Sequence, residues 1–212
     1  MTHRLAVLPE GGIATARKRI LSLPLRVCVV GLLFVPLVAG GCQSADEPGL
    51  PRRDLADLER LLRLMRQRLA LMHNVARWKW NTGKPITDAQ RERELLHSVV
   101  ERGRGKGLDA DLVRSFFAAQ MEAARLVQQA DFDRWQANKQ KPFADTTSLA
   151  VLRQRIDHLN RELIDALSEL RPRLSGRSVQ QALPQRAEEI LTGYDLAGVR
   201  ETAIAPLRTT SP

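Results

Sequence analysis

Trp78-Lys-Trp-Asn-Thr-Gly-Lys-Pro-Ile-Thr-Asp-Ala-Gln-Arg-Glu92 closes one long helical pattern, turns, and opens another. Residues 81–85 carry the turn, because Gly and Pro punctuate them and the helical period breaks there. Lys79, Asp88, Arg91 and Glu92 crowd this corner. Paired cations and acids beside apolar stripes predict a pocket for a small anionic ligand.

Upstream of the corner, Leu55, Leu58, Leu62, Met65, Leu69 and Met72 recur at steps of three and four. That is the seam of a long helix packed against others, with Asp54 as its cap. The same steps lead to Ala76 and then Lys79, so a cation stands on an apolar line. A solvated lysine near a helix C-terminus is the plainer reading of that position. Downstream, Thr87 and Gln90 form a capping-box pattern for a second helix through Leu95, Leu96, Val99 and Val100, closed by Gly103, Gly105 and Gly107. Asp88, Arg91 and Glu92 share the first face of that helix, where a surface lattice of ion pairs is the competing reading.

Asp109 caps a third helix carried by Leu112, Val113, Phe116, Phe117, Met121, Leu126 and Val127. Gln120, Ala124 and Gln128 lie four apart on one face of it, and periodicity alone leaves a glutamine there exposed. A loop at 139–147 contains Pro142. A fourth helix starts near Ser148, with Leu149, Leu152, Ile156, Leu159, Leu163 and Leu167 inward and Pro172 at its end. Arg153 and Arg155 near its start oppose the helix dipole, a small cost that an anion would offset. Two short helical pieces follow at 178–181 and 185–191, then another at 195–204 before Pro206. There is no internal repeat and no convincing strand alternation. The pattern predicts an all-α single domain of about six helices, led by one long N-terminal helix.

Residues 1–42 read as a targeting segment. Arg17, Lys18, Arg19 and Arg26 precede an apolar run at 27–38, shorter than the roughly 20 residues that span a bilayer. Ala39, Gly40 and Gly41 lead into Cys42, an ending similar to a bacterial lipobox. Export to the periplasm is expected, with Cys42 as a candidate lipidation site and membrane anchor. Residues 43–53 form a tether, 54–207 the helical domain, and 208–212 a frayed tail. Cys28 would leave with the signal, so the mature domain has no disulfide pair.

Residues 1–41 hold five of the 33 Lys/Arg and one of the 24 Asp/Glu, leaving about +5 of the formal +9. Acidic residues interleave with the basic ones and aromatics are scarce, which argues against a nucleic-acid partner. His73, His97 and His158 are scattered without metal-ligand spacing, and no metal is expected. No phosphate loop or nucleophile elbow exists. An enzyme built from this chain must work by binding and electrostatics.

Gln67-Arg-Leu, Val75-Ala-Arg-Trp-Lys-Trp, Lys84-Pro-Ile-Thr-Asp, Gln90-Arg-Glu-Arg-Glu-Leu-Leu and Val127-Gln-Gln together resemble the all-helical chorismate mutases. The export signal and the extra C-terminal helices are similar to the secreted, gamma-type branch. The resemblance covers residues 54–165 well and the remainder loosely. It implies conversion of chorismate to prephenate without a cofactor. It also implies roles residue by residue. Arg68 would grip a carboxylate, and Lys79 would donate to the ether oxygen and a carboxylate. Asp88 would help hold the substrate hydroxyl through its backbone, with Arg91 beside it and Glu92 accepting that hydroxyl. Gln128 would be the second donor to the ether oxygen. Arg153 would replace an arginine that cytosolic members borrow from a partner subunit, so a homodimer would hold a complete site in each protomer. Ala124 departs from the pattern, standing where a serine or threonine usually binds a carboxylate. The cysteine pair of some secreted members is also missing.

Two non-enzymatic readings compete. A helical envelope lipoprotein or adaptor accounts for the signal, the seam and the charge lattice, but not for a lysine on the seam. A module for acidic polymers or anionic lipid heads would bind with strong salt dependence and no turnover.

Overall fold

The leucine seam does build one long helix. The computed structural model describes residues 52–194 and 198–208, and in it α1 spans Arg52–Thr82, 31 residues and about 46 Å. It is followed by α2 (Ala89–Arg104), α3 (Ala110–Ala137), α4 (Leu149–Leu170), α5 (Arg177–Ile190) and α6 (Val199–Ile204). Short 3-10 turns at Arg171–Arg173 and Ala205–Leu207 follow α4 and α6. Among the described residues there is no strand, and no helix is long and apolar enough to cross a membrane. The signal segment, Cys42, almost all of the tether and the last four residues lie outside the described residues.

Leu58, Leu62, Met65, Leu69 and Met72 are buried as the seam requires, while Leu55 is only half-buried. Leu61, Leu64, Val75 and Ala76 are buried too, widening the face beyond a narrow stripe. The reason is that α1 is packed by α3, α4 and α5 together. α2 lies on α3 and α4, and α6 lies on α3. Gly103 permits the α2–α3 approach: a Cβ there would meet Val113 Cγ2 at 2.6 Å.

The ends of the helices follow local chemistry, with several differences from expectation. Asp109 caps α3 through its side chain, accepting from Asp111 N and Leu112 N at 2.9 Å each. α1 starts at Arg52, so Asp54 sits in its first turn and is no cap. Arg173, beyond the end of α4, takes Asp54 at 3.2 Å and Asp57 at 2.5 Å. At the corner, Gly83 adopts φ +63, and the N–H groups of Gly83 and Lys84 return to Trp80 O and Lys79 O. That is a Schellman ending, and it needs a residue free to be left-handed. Asp88, not Thr87, caps α2 by accepting from Arg91 N at 3.2 Å, and Gln90 turns instead to Glu94.

The 178–181 and 185–191 pieces are one helix, α5, with Pro184 inside it. An interior proline costs about 3 kcal/mol. Here Pro184 is exposed while Val179, Leu183 and Ala187 are buried on the other side, and their burial offsets that cost. α6 begins at Val199, after a left-handed Gly198 (φ +70), and residues 195–197 of the expected 195–204 piece lie outside the described residues. Arg208 is held by Glu201 at 2.6 Å rather than frayed.

Trp80, Phe132, Trp135 and Phe143 close one end of the helix assembly, with ring centroids 4.9–5.9 Å apart. Asn81 clamps the backbone of Phe143 from both sides, at 2.7 and 2.8 Å. The 138–148 connection is thereby tied to the end of α1, and Ser148 then caps α4. Denaturant unfolding should separate core from cap. Leu163→Ala should lower stability by about 2–5 kcal/mol, and Asp109→Ala by about 1 kcal/mol. A cap variant weaker than the core variant would contradict this picture.

Candidate active site

A cavity of about 590 Å³ opens between α1, α2, α3 and α4 beside the corner loop. Arg68, Lys79, Asp88, Arg91, Glu92, Gln128 and Arg153 all line it. Its apolar wall includes Met72, Val75, Leu95, Met121 and Ile156. Leu149 and Ile156, expected in the core, are half-buried because they face this space.

Arg68 projects from the buried face of α1 and is only 3% exposed. Its Nε donates to Asn160 Oδ1 at 3.1 Å and its Nη1 to the Gln120 carbonyl at 2.9 Å. Both acceptors are neutral, and among the described residues no carboxylate pairs with it. Burial pulls its pKa down from the ordinary arginine value to about 10, which still leaves it cationic at neutral pH. A desolvated cation without a counter-charge is poised for an incoming anion.

Lys79 stands about three turns further along α1, half-buried, with Nζ donating to the Ile86 carbonyl. Burial lowers its pKa; the charges of Asp88 and Glu92 oppose that shift, and Arg153 adds to it. Gln128 is 4% exposed. Its Nε2 donates to Ala124 O at 2.9 Å, while Oε1 is buried without a partner. Gln120 is fully buried as well, its Nε2 donating to Ala203 O on α6 at 2.8 Å. The glutamines that periodicity leaves exposed are therefore interior, because α6 covers one and the cavity lies over the other.

The charged rim is shared among helices. Asp88 caps α2 with Oδ1, and its Oδ2 lies 3.6 Å from the half-exposed Arg153 of α4. Arg91 turns toward α4, its Nη2 donating to both oxygens of Asp157 at 2.9 and 3.1 Å. Glu92 Oε2 accepts from Arg125 Nη1 at 2.7 Å, and Arg125 also grips Glu122. Asn160, Asp157 and Arg125 are absent from the sequence-based expectation. Asn160 did carry a signal, since it stands four residues after Ile156 and three before Leu163 on an inward stripe. Arg125 carried none, as an exposed i, i+3 partner of Glu122 reads the same way.

Taken together, several cations and few uncompensated acids surround an apolar space, which fits a small dianion with a hydrocarbon body. Among the described residues no group of three His, Cys, Asp or Glu is placed to hold a metal.

A family model described as chorismate mutase type II matches residues 56–129. That interval contains every lining residue expected from sequence except Arg153. A secreted chorismate mutase of Mycolicibacterium smegmatis is 26% identical over 144 residues, covering 67% of this chain and 80% of that protein. Among solved structures, chorismate mutase from Burkholderia thailandensis superposes with a TM-score of 0.66 at 34% identity, covering 72% of this chain and 99% of that one. Chorismate mutase from Burkholderia phymatum gives a TM-score of 0.67 at 25% identity, covering 74% of this chain and 98% of that one.

The electrostatics of Lys79 are directly measurable. By NMR titration its ammonium should deprotonate below the ordinary lysine range. Glu92→Gln removes a stabilising negative charge and should lower the midpoint further, whereas Arg153→Ala removes a repelling one and should raise it. Shifts of the opposite sign would refute this charge arrangement.

Proposed function

The chain belongs to the all-helical chorismate mutases, which convert chorismate to prephenate, and from that premise we propose how its pocket performs the rearrangement. Chorismate carries two carboxylates, a hydroxyl and an enol ether. The reaction breaks a C–O bond while forming a C–C bond, and it needs no nucleophile, proton transfer or cofactor. The protein has two tasks: to hold the compact diaxial conformer, and to stabilise negative charge growing on the ether oxygen.

Arg68 and Arg153 take the first task. A guanidinium fork pairs with a planar carboxylate at two points and fixes its orientation. The observation that carries this reading is the buried Arg68 guanidinium, met only by neutral acceptors in the same cavity as Lys79 and Gln128. A non-catalytic adaptor would have no use for such a charge. Arg91, anchored by Asp157, stiffens the wall between α2 and α4 beside the bound ring.

Lys79 and Gln128 take the second task. Lys79 spends one N–H on the Ile86 carbonyl, which fixes its direction and leaves two donors. Gln128 spends one N–H on Ala124 O and keeps the other for the ether oxygen. Such preorganised donors stabilise charge where it develops. Glu92 accepts the substrate hydroxyl with support from the Asp88 backbone. Ala124 offers no hydroxyl, so one carboxylate contact found elsewhere in the family is lost, at a cost of about 1 kcal/mol.

Arg153 belongs to the same chain as Arg68 and Lys79, which supports a complete site in each protomer of a homodimer. Export is supported by the secreted Mycolicibacterium relative and by the basic–apolar N-terminus. The periplasm is the proposed compartment and lipidated Cys42 the proposed anchor. Mass spectrometry of the protein recovered from membranes would reveal a diacylglyceryl Cys42 or a free mature N-terminus.

Loss of chorismate ultraviolet absorbance tests the roles. Lys79→Ala should lower kcat at least about a hundredfold, and Arg153→Ala should reduce turnover strongly; a drop of only a few-fold for Lys79→Ala would sink its assignment. A neutral amide donates at any ordinary pH. Activity should therefore hold from mildly acidic to neutral pH, then fall in alkali as Lys79 deprotonates below the usual lysine range. A steep acid-side fall abolished by Gln128→Leu would contradict the amide's role.

A further inference from the structure

Arg125 lines the pocket yet has no part in the assignments above. It lies three residues before Gln128 on α3, so the two side chains share a wall. Its guanidinium is committed at three donors. Nη1 reaches across to Glu92 Oε2 on α2 at 2.7 Å, while Nε holds Glu122 Oε2 at 3.0 Å and Nη2 holds the same oxygen. Glu122, one turn back on α3, thereby locks the fork in the direction that meets Glu92.

We propose that Arg125 is a positioning residue: it draws the Glu92 carboxylate away from Lys79 and aims its remaining oxygen at the substrate hydroxyl. This inference rests on the roles proposed for Lys79 and Glu92 and extends them.

The arrangement around Lys79 supports it. Lys79 stands close enough to Glu92 to feel its charge, yet among the described residues its ammonium hydrogen-bonds only to Ile86 O. Glu92 Oε2 is engaged by Arg125, and Oε1 accepts nothing among the described residues. A half-buried carboxylate released from Arg125 would find Lys79 as a neighbouring cation. Pairing there would consume the donors that the ether oxygen needs. The clamp thus divides labour between two opposite charges that would otherwise neutralise each other inside the pocket. An ordinary rim ion pair would instead contribute little and act on nothing beyond itself.

The test combines kinetics and titration on the full chain. Arg125→Ala should lower kcat more than it changes KM, and Arg125→Lys should recover part of the loss. The Lys79 midpoint should rise in Arg125→Ala, because Glu92 then pairs with it, and should not rise when Glu92→Gln is also present. In a double-mutant cycle the kinetic effects of Arg125→Ala and Glu92→Gln should couple by at least about fivefold. Glu122→Gln, which loosens the clamp without touching Glu92, should give a smaller loss of the same kind and serves if Arg125→Ala does not fold. Equal losses in both Glu92 backgrounds, or an unmoved Lys79 titration, would overturn the proposal. Full turnover by Lys79→Ala would instead overturn the pocket assignment beneath it, so the two failures read differently.

Discussion

A single guanidinium organises this molecule. Arg68 is removed from water on α1 and satisfied only by the Asn160 side chain of α4 and a main-chain carbonyl of α3. Burying a charge without a counter-ion is expensive, and it persists only where surrounding packing over-determines it. Here the packing is the leucine seam of α1 pressed by α3 and α4, with Phe116, Phe117 and Leu163 among the fully buried side chains. The core therefore fixes the site: three helices cannot converge on Arg68 unless their apolar faces are already in register.

The rest of the pocket follows from how charge is apportioned. Arg91 is neutralised by Asp157 and Arg125 by two glutamates, so these cations stiffen walls. Arg68 and Lys79 are left with carbonyl and amide acceptors, so their charge points into the cavity. Distance along α1 sets their separation, and the left-handed Gly83 turn returns Ile86 to the lysine. A mixed cluster that looks balanced by composition is thus strongly polarised in space.

What was legible in the sequence is what depends on local chemistry. The α1 seam, the glycine stop after α2 and the Asp109 cap need only a helical period and one hydrogen bond, and they read through plainly. The α2 cap did not, because Thr87-Asp88 offers two capping residues in a row and only the turn geometry chooses between them. Pro184 reads as a break, yet α5 runs through it because burial on the opposite face decides. Gln128 is unremarkable by periodicity, and its burial depends on α3's neighbours. Asn160 and Arg125 act through partners 92 and 33 residues away in sequence, which no local pattern encodes.

Gln120 joins two parts of the chain with one residue. Its side chain holds the Ala203 carbonyl of α6, while its own carbonyl holds Arg68. The segment after residue 129, beyond the family-matched interval, is therefore mechanically continuous with the buried Arg68, the arginine proposed to grip a carboxylate. Peeling α6 from α3 would strand the buried Gln120 amide and loosen the carbonyl on which Arg68 rests. Heat that frays the C-terminal end would then silence the enzyme while its long helices were still assembled.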